Sequence, residues 1–373
     1  MESTVPDDSR RHPPTESSSE ELCGQLLVVG YMGTFPQAAL LAAHQDGTLG
    51  GFVVFKRNLV ENEAQRADAL AASLERLAEM ARPELPPLLA IDQEGGRVAR
   101  LGPPVLSLPP MRTLAAAGDL DLVRRAAKAL GEGLRALGLT MDFAPVLDVD
   151  SNPNNPIIGD RAFADSPHDA ARFALAFADG LADAGLLACG KHFPGHGDTA
   201  TDSHLELPLV AKSREALDAT ELLPFRLAAR IPALMSAHVV YPALDAAPAT
   251  LSRAIAHDLL RVSMGYEGVL FSDDLEMKAL SQDIETTSVS AIRAGCDILL
   301  VCSDEARVFR ARAALVAEVE RDPTFRARCE EALARGLAMR RSCPPKVLPS
   351  SEREALFASH GALREEIARK VSR

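Results

Sequence analysis

Between Lys191 and His204 the chain reads KHFPGHGDTATDSH, which places Lys191, His192, His196, Asp198, Asp202 and His204 within fourteen residues. His192, His196, Asp202 and His204 are of the side-chain types that ligate zinc. The spacing counts against a metal, because Pro194, Gly195 and Gly197 break the helix that would put His192 and His196 on one face. Proton chemistry fits better. Asp202 lies two residues from His204, close enough for its carboxylate to orient the imidazole and raise its basicity. An imidazole with an ordinary pKa of about 6.5 gives a proton to a leaving group and takes one from water near neutrality. Any one of these histidines also fits a structural role, but their clustering argues against that for the set.

Three further segments carry chemistry. In Phe271-Ser272-Asp273-Asp274-Leu275 an apolar run ends in two carboxylates. One of them, turned inward, serves as a nucleophile or as the electrostatic partner of a developing cation. Adjacent residues at a strand end face opposite ways, so Asp273 is expected to point inward and Asp274 to act structurally. The segment IDQEGGRVAR, Ile91 to Arg100, joins a glycine pair that permits a sharp turn to Asp92 and Arg100, which offer hydrogen bonds of both polarities. Asn152 to Arg161 reads NPNNPIIGDR, a proline-stiffened loop ending in a cation. A surface turn with solvated charges is the alternative reading of each of these last two loops. No GxGxxG or GxxxxGK[ST] sequence is present, so nothing supports nucleotide-phosphate binding.

These residues need a frame to bring them together. Eight apolar runs follow one another: Leu26–Gly30, Gly51–Phe55, Leu88–Ile91, Thr140–Pro145, Leu186–Gly190, Ala233–His238, Val269–Ser272 and Asp297–Cys302. Most are separated by stretches of helical period, among them Glu63–Arg82, Asp121–Leu137, His168–Ala184, Ser213–Ala229 and Asp304–Glu320. That alternation predicts an α/β fold, a single (β/α)8 TIM-type barrel, with an open doubly wound sheet as the alternative. Barrel active sites lie on the loops after the strands. The polar residues cluster there: Asp92 after the third run, Asp148 after the fourth, Lys191 and His192 after the fifth, His238 at the end of the sixth, Asp273 and Asp274 at the seventh.

The 373 residues carry a formal charge of −12 and no basic stripe, which argues against nucleic acid or an anionic membrane as partner. Apolar runs stop far short of the roughly 18 residues of a membrane span. Residues 1–20 lack the apolar core of a secretory signal and read as a disordered polar tail, implying a cytoplasmic protein. Cys23 has no hydrophobic stretch before it, so lipid attachment is not expected, and the six cysteines read as buried thiols. The barrel is expected over residues 21–320, with a C-terminal helical extension over 321–373 packed beside it and broken once at CPPKVLPSS.

The four motifs, in this order along a barrel, resemble the family 3 glycoside hydrolases, and more narrowly their β-N-acetylglucosaminidase branch. The resemblance runs from about Leu22 to about Val319. It implies Asp273 as nucleophile, Asp202 with His204 as the acid/base dyad, and Asp92, Arg100, Arg161, Lys191 and His192 as ligands of the non-reducing terminal sugar. Many members with other sugar preferences place a carboxylic acid catalyst on a second domain. The roughly 55 residues after Val319 are too few for one, so the catalyst is expected from the barrel itself. The implied activity is retaining removal of terminal N-acetylglucosamine, in peptidoglycan (muropeptide) recycling. A monomer acting on a small carbohydrate is expected, without metal or cofactor. Phosphorolysis and a catalytically silent sugar-binding barrel are the alternatives.

Overall fold

Eight parallel strands, each bonded to its neighbours in sequence, close into a barrel. They are β1 (Leu27–Val29), β2 (Gly51–Val54), β3 (Leu88–Ile91), β4 (Met141–Asp142), β5 (Leu187–Phe193), β6 (Ala233–Ser236), β7 (Val269–Asp274) and β8 (Ile298–Val301). Closure is made by β1 on β8, with Leu27 opposite Leu299 and Val29 opposite Val301. The computed structural model describes residues 17–199 and 207–372.

All eight expected runs are strands of this barrel. They read as unbroken apolar runs because a parallel strand here is buried on both faces. Alternate residues divide the work. Val28, Val53, Ala90, Met235, Phe271 and Leu300 fill the interior, while Leu27, Val29, Phe52, Val54 and Leu89 face the helices. The fourth run is the shortest strand. Beyond Asp142 the pairing continues irregularly, with the Phe143 N–H on the Ile91 carbonyl at 2.8 Å and the Cys189 N–H on the Ala144 carbonyl at 2.9 Å, and the Ala144–Pro145 peptide is cis.

The surrounding helices include α1 (Ser19–Gly24), α2 (Ala38–Gln45), α3 (Arg66–Met80), α4 (Leu120–Ala136), α5 (Pro167–Asp183), α6 (Ile284–Ala294) and α7 (Glu305–Arg321). In α4 the Asp119 side chain caps the start by accepting the Leu122 N–H, and Leu122, Ala126, Leu130 and Leu134 recur every fourth residue on the buried face. The stretch expected as one helix over Ser213–Ala229 is two, Arg214–Ala219 and Leu223–Leu227. Thr220 leaves helical dihedrals with its hydroxyl bonded to the Ala216 carbonyl at 2.7 Å, and Pro224 fits only a new first turn. Helix α1 begins at Ser19, two residues inside the expected tail, with the Ser18 hydroxyl accepting the Glu21 N–H. Residues 1–16 of that tail lie outside the described residues.

The C-terminal segment forms α8 (Pro323–Ser342), α9 (Ser350–Ser359) and α10 (Gly361–Val371), with the expected break between α8 and α9. Helix α8 lies across the end of the barrel opposite the strand exits. Buried Arg340 donates to the Gly50 carbonyl at 2.7 Å and to Gln25 Oε1 at 2.8 Å, and Met339 and Cys343 join the barrel interior. Arg328 and Arg335 each reach buried Asp297 at 2.7 Å. All six cysteines are buried and unpaired. Among the described residues no helix is long and apolar enough to cross a membrane.

Candidate active site

The first wall of the site grows from the exit of β3. There Gln93–Gly95 folds back on Val98–Ala99 as a hairpin, with Gly95 and Gly96 at φ 119° and 53°, a turn that side chains with a Cβ resist. Gln93 locks the hairpin from within: its Oε1 accepts the N–H groups of Arg100 at 2.8 Å and Leu101 at 2.9 Å, and its Nε2 donates to the Leu101 carbonyl at 2.9 Å. This returns Arg100 to its own motif, where Nη2 meets Asp92 Oδ2 at 3.0 Å. Asp92 and Glu94, two residues apart, point the same way while Gln93 points the other.

Charges from three strand exits then interlock. Lys191, at the end of β5, donates to Asp92 Oδ1 at 2.9 Å and reaches Glu94 Oε1 at 2.6 Å. Arg161, from the asparagine–proline loop, grips Glu94 with two parallel bonds of 2.9 and 2.8 Å. Burial alone would raise the Asp92 and Glu94 carboxyls. Lys191 and Arg100 outweigh it at Asp92, and Arg161 and Lys191 at Glu94, so both carboxyls sit below their usual range. Burial works against the Lys191 ammonium too, yet Asp92 and Glu94 hold it above the usual lysine range. The lattice is therefore fully ionised at neutral pH. It presents hydrogen-bond donors and acceptors side by side with little net charge.

Below this lattice is Asp142 on β4. Its side chain is fully buried, and Oδ1 accepts the Gln93 N–H at 2.9 Å. Burial pushes its carboxyl up to about 8, so it is protonated at neutral pH.

The second wall is the KHFPGH segment. The Lys191–His192 and Phe193–Pro194 peptides are cis. Buried Asp148 accepts the backbone N–H groups of His192 at 3.1 Å and His196 at 2.7 Å, and its Oδ2 lies 2.6 Å from His192 Nδ1. His192 Nε2 comes within 3.5 Å of Arg161 Nη2. Burial pulls the His196 imidazole down to about 4, so it is neutral. Asn155 secures the next turn, donating to the carbonyls of His196 at 2.8 Å and Gly197 at 3.0 Å.

The third wall is the end of β7. Asp273 Oδ1 accepts the Asp274 N–H at 2.8 Å. Asp274 Oδ1 accepts from the backbone of Glu276 at 3.1 Å and Cys302 at 3.3 Å, the structural role expected for it. Asp274 also lines the cavity, and burial raises its carboxyl to about 7.

Together these walls enclose a cavity of about 320 Å3 at the strand exits, at the small end of the range for small-molecule sites. Asp92, Arg100, Arg161, Lys191, His192 and Asp273, all singled out from the sequence, line it. Phe55, Phe143 and Met235 add apolar surface. Asp202 and His204 lie outside the described residues. Among the groups that hold the site without having been singled out as site residues are Glu94 and Asp148. Glu94 was open to detection, since it shares the face of Asp92 by strand parity. Asp148 was visible only as a polar residue at a strand exit.

A model of the glycosyl hydrolase family 3 N-terminal domain matches residues 18–338, and the chain belongs to this family of glycoside hydrolases. A β-hexosaminidase of Pseudomonas aeruginosa (strain LESB58) is 42% identical over 271 residues, 72% of this chain and 79% of that protein. One from Neisseria meningitidis serogroup C is 42% identical over 269 residues, 69% of this chain and 72% of that protein. Among solved structures, a family 3 β-N-acetylglucosaminidase from Paenibacillus superposes with a TM-score of 0.83 at 37% identity, covering 94% of this chain and 68% of that one. NagZ from Neisseria gonorrhoeae, in complex with N-trifluoroacetyl-D-glucosamine, gives 0.74 at 32% identity, covering 93% and 98%.

Proposed function

We propose that this enzyme is a retaining exo-β-N-acetylglucosaminidase that removes the non-reducing terminal sugar through a glycosyl-enzyme ester on Asp273. The observation that carries the reading is the convergence of Asp92, Arg100, Arg161, Lys191 and His192 on one cavity with Asp273 in its wall. A pyranose hydroxyl both donates and accepts, and the interlocked carboxylates and cations offer partners for each role. The relatives named β-hexosaminidase support the sugar assigned.

In the first step Asp273 attacks the anomeric carbon while protonated His204, oriented by Asp202, donates to the departing glycosidic oxygen. In the second, neutral His204 takes a proton from water as the water attacks the ester and frees Asp273. Two inversions leave the anomeric configuration unchanged. Positioned general acid–base help is worth about 10²–10⁴-fold. His204→Ala should therefore slow hydrolysis of poor leaving groups by about that factor and nearly spare the first step with an activated aryl glycoside. Equal loss on both substrates refutes the dyad. Asp273→Ala should abolish activity on every substrate.

Release of p-nitrophenol from the N-acetylglucosaminide, with little from the glucoside or xyloside, is the expected panel, and no turnover of any would favour a silent sugar-binding barrel. A neutral imidazole does not repel phosphate as a carboxylate would, so the panel is repeated in phosphate. Accumulating sugar 1-phosphate would replace hydrolysis by phosphorolysis. The proposed setting is a cytoplasmic monomer trimming muropeptides.

A further inference from the structure

We propose that Asp148 is a positioning residue for the sugar site, keeping Nδ1 of His192 protonated so that Nε2 stands at the cavity as a hydrogen-bond acceptor. The consequence for turnover rests on the reading that His192 contacts the sugar. The assignment of the proton does not.

Three donors converge on this one fully buried carboxylate. Oδ1 takes the backbone N–H groups of His192 and His196, at 3.1 and 2.7 Å, and Oδ2 takes His192 Nδ1 at 2.6 Å. The two backbone donors cannot rotate away, so they decide which oxygen is left for the ring. Two backbone N–H groups donate to Oδ1, and an imidazole, with an ordinary pKa of about 6.5 against about 3.9 for an aspartic acid, is the stronger base, so the Asp148 carboxyl stays ionised beside the ring. An ionised carboxylate only accepts, so the hydrogen between Oδ2 and Nδ1 belongs to Nδ1. On the other side of the ring, Arg161 Nη2 lies 3.5 Å from Nε2, and a guanidinium only donates. Both ring contacts thus favour the same tautomer, with a lone pair on Nε2 beside the N–H groups of Arg161. A ligand hydroxyl entering there finds an acceptor and a donor together. Asp148 sits 44 residues before His192, and only closure of β4 beside β5 brings the pair together.

Asp148→Asn is a near-isosteric test. Its single carbonyl oxygen stays with the two backbone N–H groups, so the amide NH2 is turned to Nδ1. That nitrogen must then accept, and the ring proton moves to Nε2, where it opposes the Arg161 donors. In the 15N spectrum of histidine-labelled wild-type enzyme at pH 7.5, His192, identified by loss of its signals in His192→Gln, is expected to be neutral with the proton on Nδ1. In Asp148→Asn the proton is expected on Nε2, and kcat/KM for a chromogenic N-acetylglucosaminide falls about 10- to 100-fold, mainly through KM, as one polar contact is left mispaired. A wild-type spectrum with Nδ1 unprotonated, or with His192 as imidazolium, overturns the proposal without any variant having to fold. An unchanged tautomer in Asp148→Asn also overturns it, as does a moved proton with wild-type kcat/KM. If His192→Gln retains wild-type kcat/KM, the sugar-contact reading falls and the consequence for turnover with it, while the spectra alone still judge the tautomer.

Discussion

Glu94→Gln removes one charge from the centre of the ion lattice while keeping the shape of the side chain. Glu94 is 1% exposed, and its carboxylate meets Arg161 at 2.9 and 2.8 Å and Lys191 at 2.6 Å. The amide keeps one acceptor oxygen and turns an NH2 toward groups that only donate. Lys191 still has Asp92 at 2.9 Å, whereas Arg161 keeps the Ile157 carbonyl at 3.1 Å and, among the described residues, no carboxylate in contact. Breaking a buried pair by removing one partner costs about 3–5 kcal/mol, and since the lattice borders an open cavity the low end, about 3 kcal/mol, is expected. Urea unfolding at pH 7 should show it as a lower midpoint at unchanged slope. Arg161→Gln made in the same background should cost less than it does in the wild type, because its partner is already lost. The pH dependence has a definite sign. Glu94 is held below its usual range when folded, so its contribution is complete above the unfolded value of 4.5 and is lost as pH falls toward the folded one. The gap between wild type and Glu94→Gln should therefore be level from pH 5 to 8 and shrink only on further acidification. A loss under about 1 kcal/mol, the scale of an exposed pair, or a gap that widens in acid, would refute the reasoning.

Asp142 carries the opposite sign. Its carboxyl rises from 3.8 to about 8 on folding, so the folded state holds an extra proton between those values, and this group's contribution to stability declines as pH rises through that window. Asp142→Asn keeps an oxygen for the Gln93 N–H and should flatten the profile, with a urea midpoint above that of the wild type at pH 8 and the difference vanishing near pH 4. Gly197→Ala tests the turn after the KHFPGH segment. A Cβ there would stand 1.5 Å from the Val149 carbonyl oxygen, so the backbone next to Asp148 must move. A displacement on the order of 1 Å costs about 10²-fold, and kcat/KM should fall by that order in a protein whose circular dichroism remains that of a barrel.

Much of the architecture could be read before folding was considered. Strands buried on both faces must be apolar throughout, so eight such runs announced eight barrel strands and their order. Helix ends were harder, because Thr220 and Pro224 act through local geometry that average period does not report. The candidate site was legible where chemistry clustered along the chain, as in Ile91–Arg100 and the KHFPGH segment. It was not legible where partners come from different loops. Glu94 read as one acid among several until Arg161, 67 residues away, closed on it.

The chain alone dictated which functional groups exist and the strand exits that bear them. Tertiary structure decided which of those groups are charged. Asp92, just past β3, and Asp142, on the adjacent β4, are the same side chain, yet one is held ionised by Lys191, 99 residues away, and the other keeps its proton. Charge state depends on burial and on distance to the nearest opposite charge, and neither quantity exists until the barrel closes.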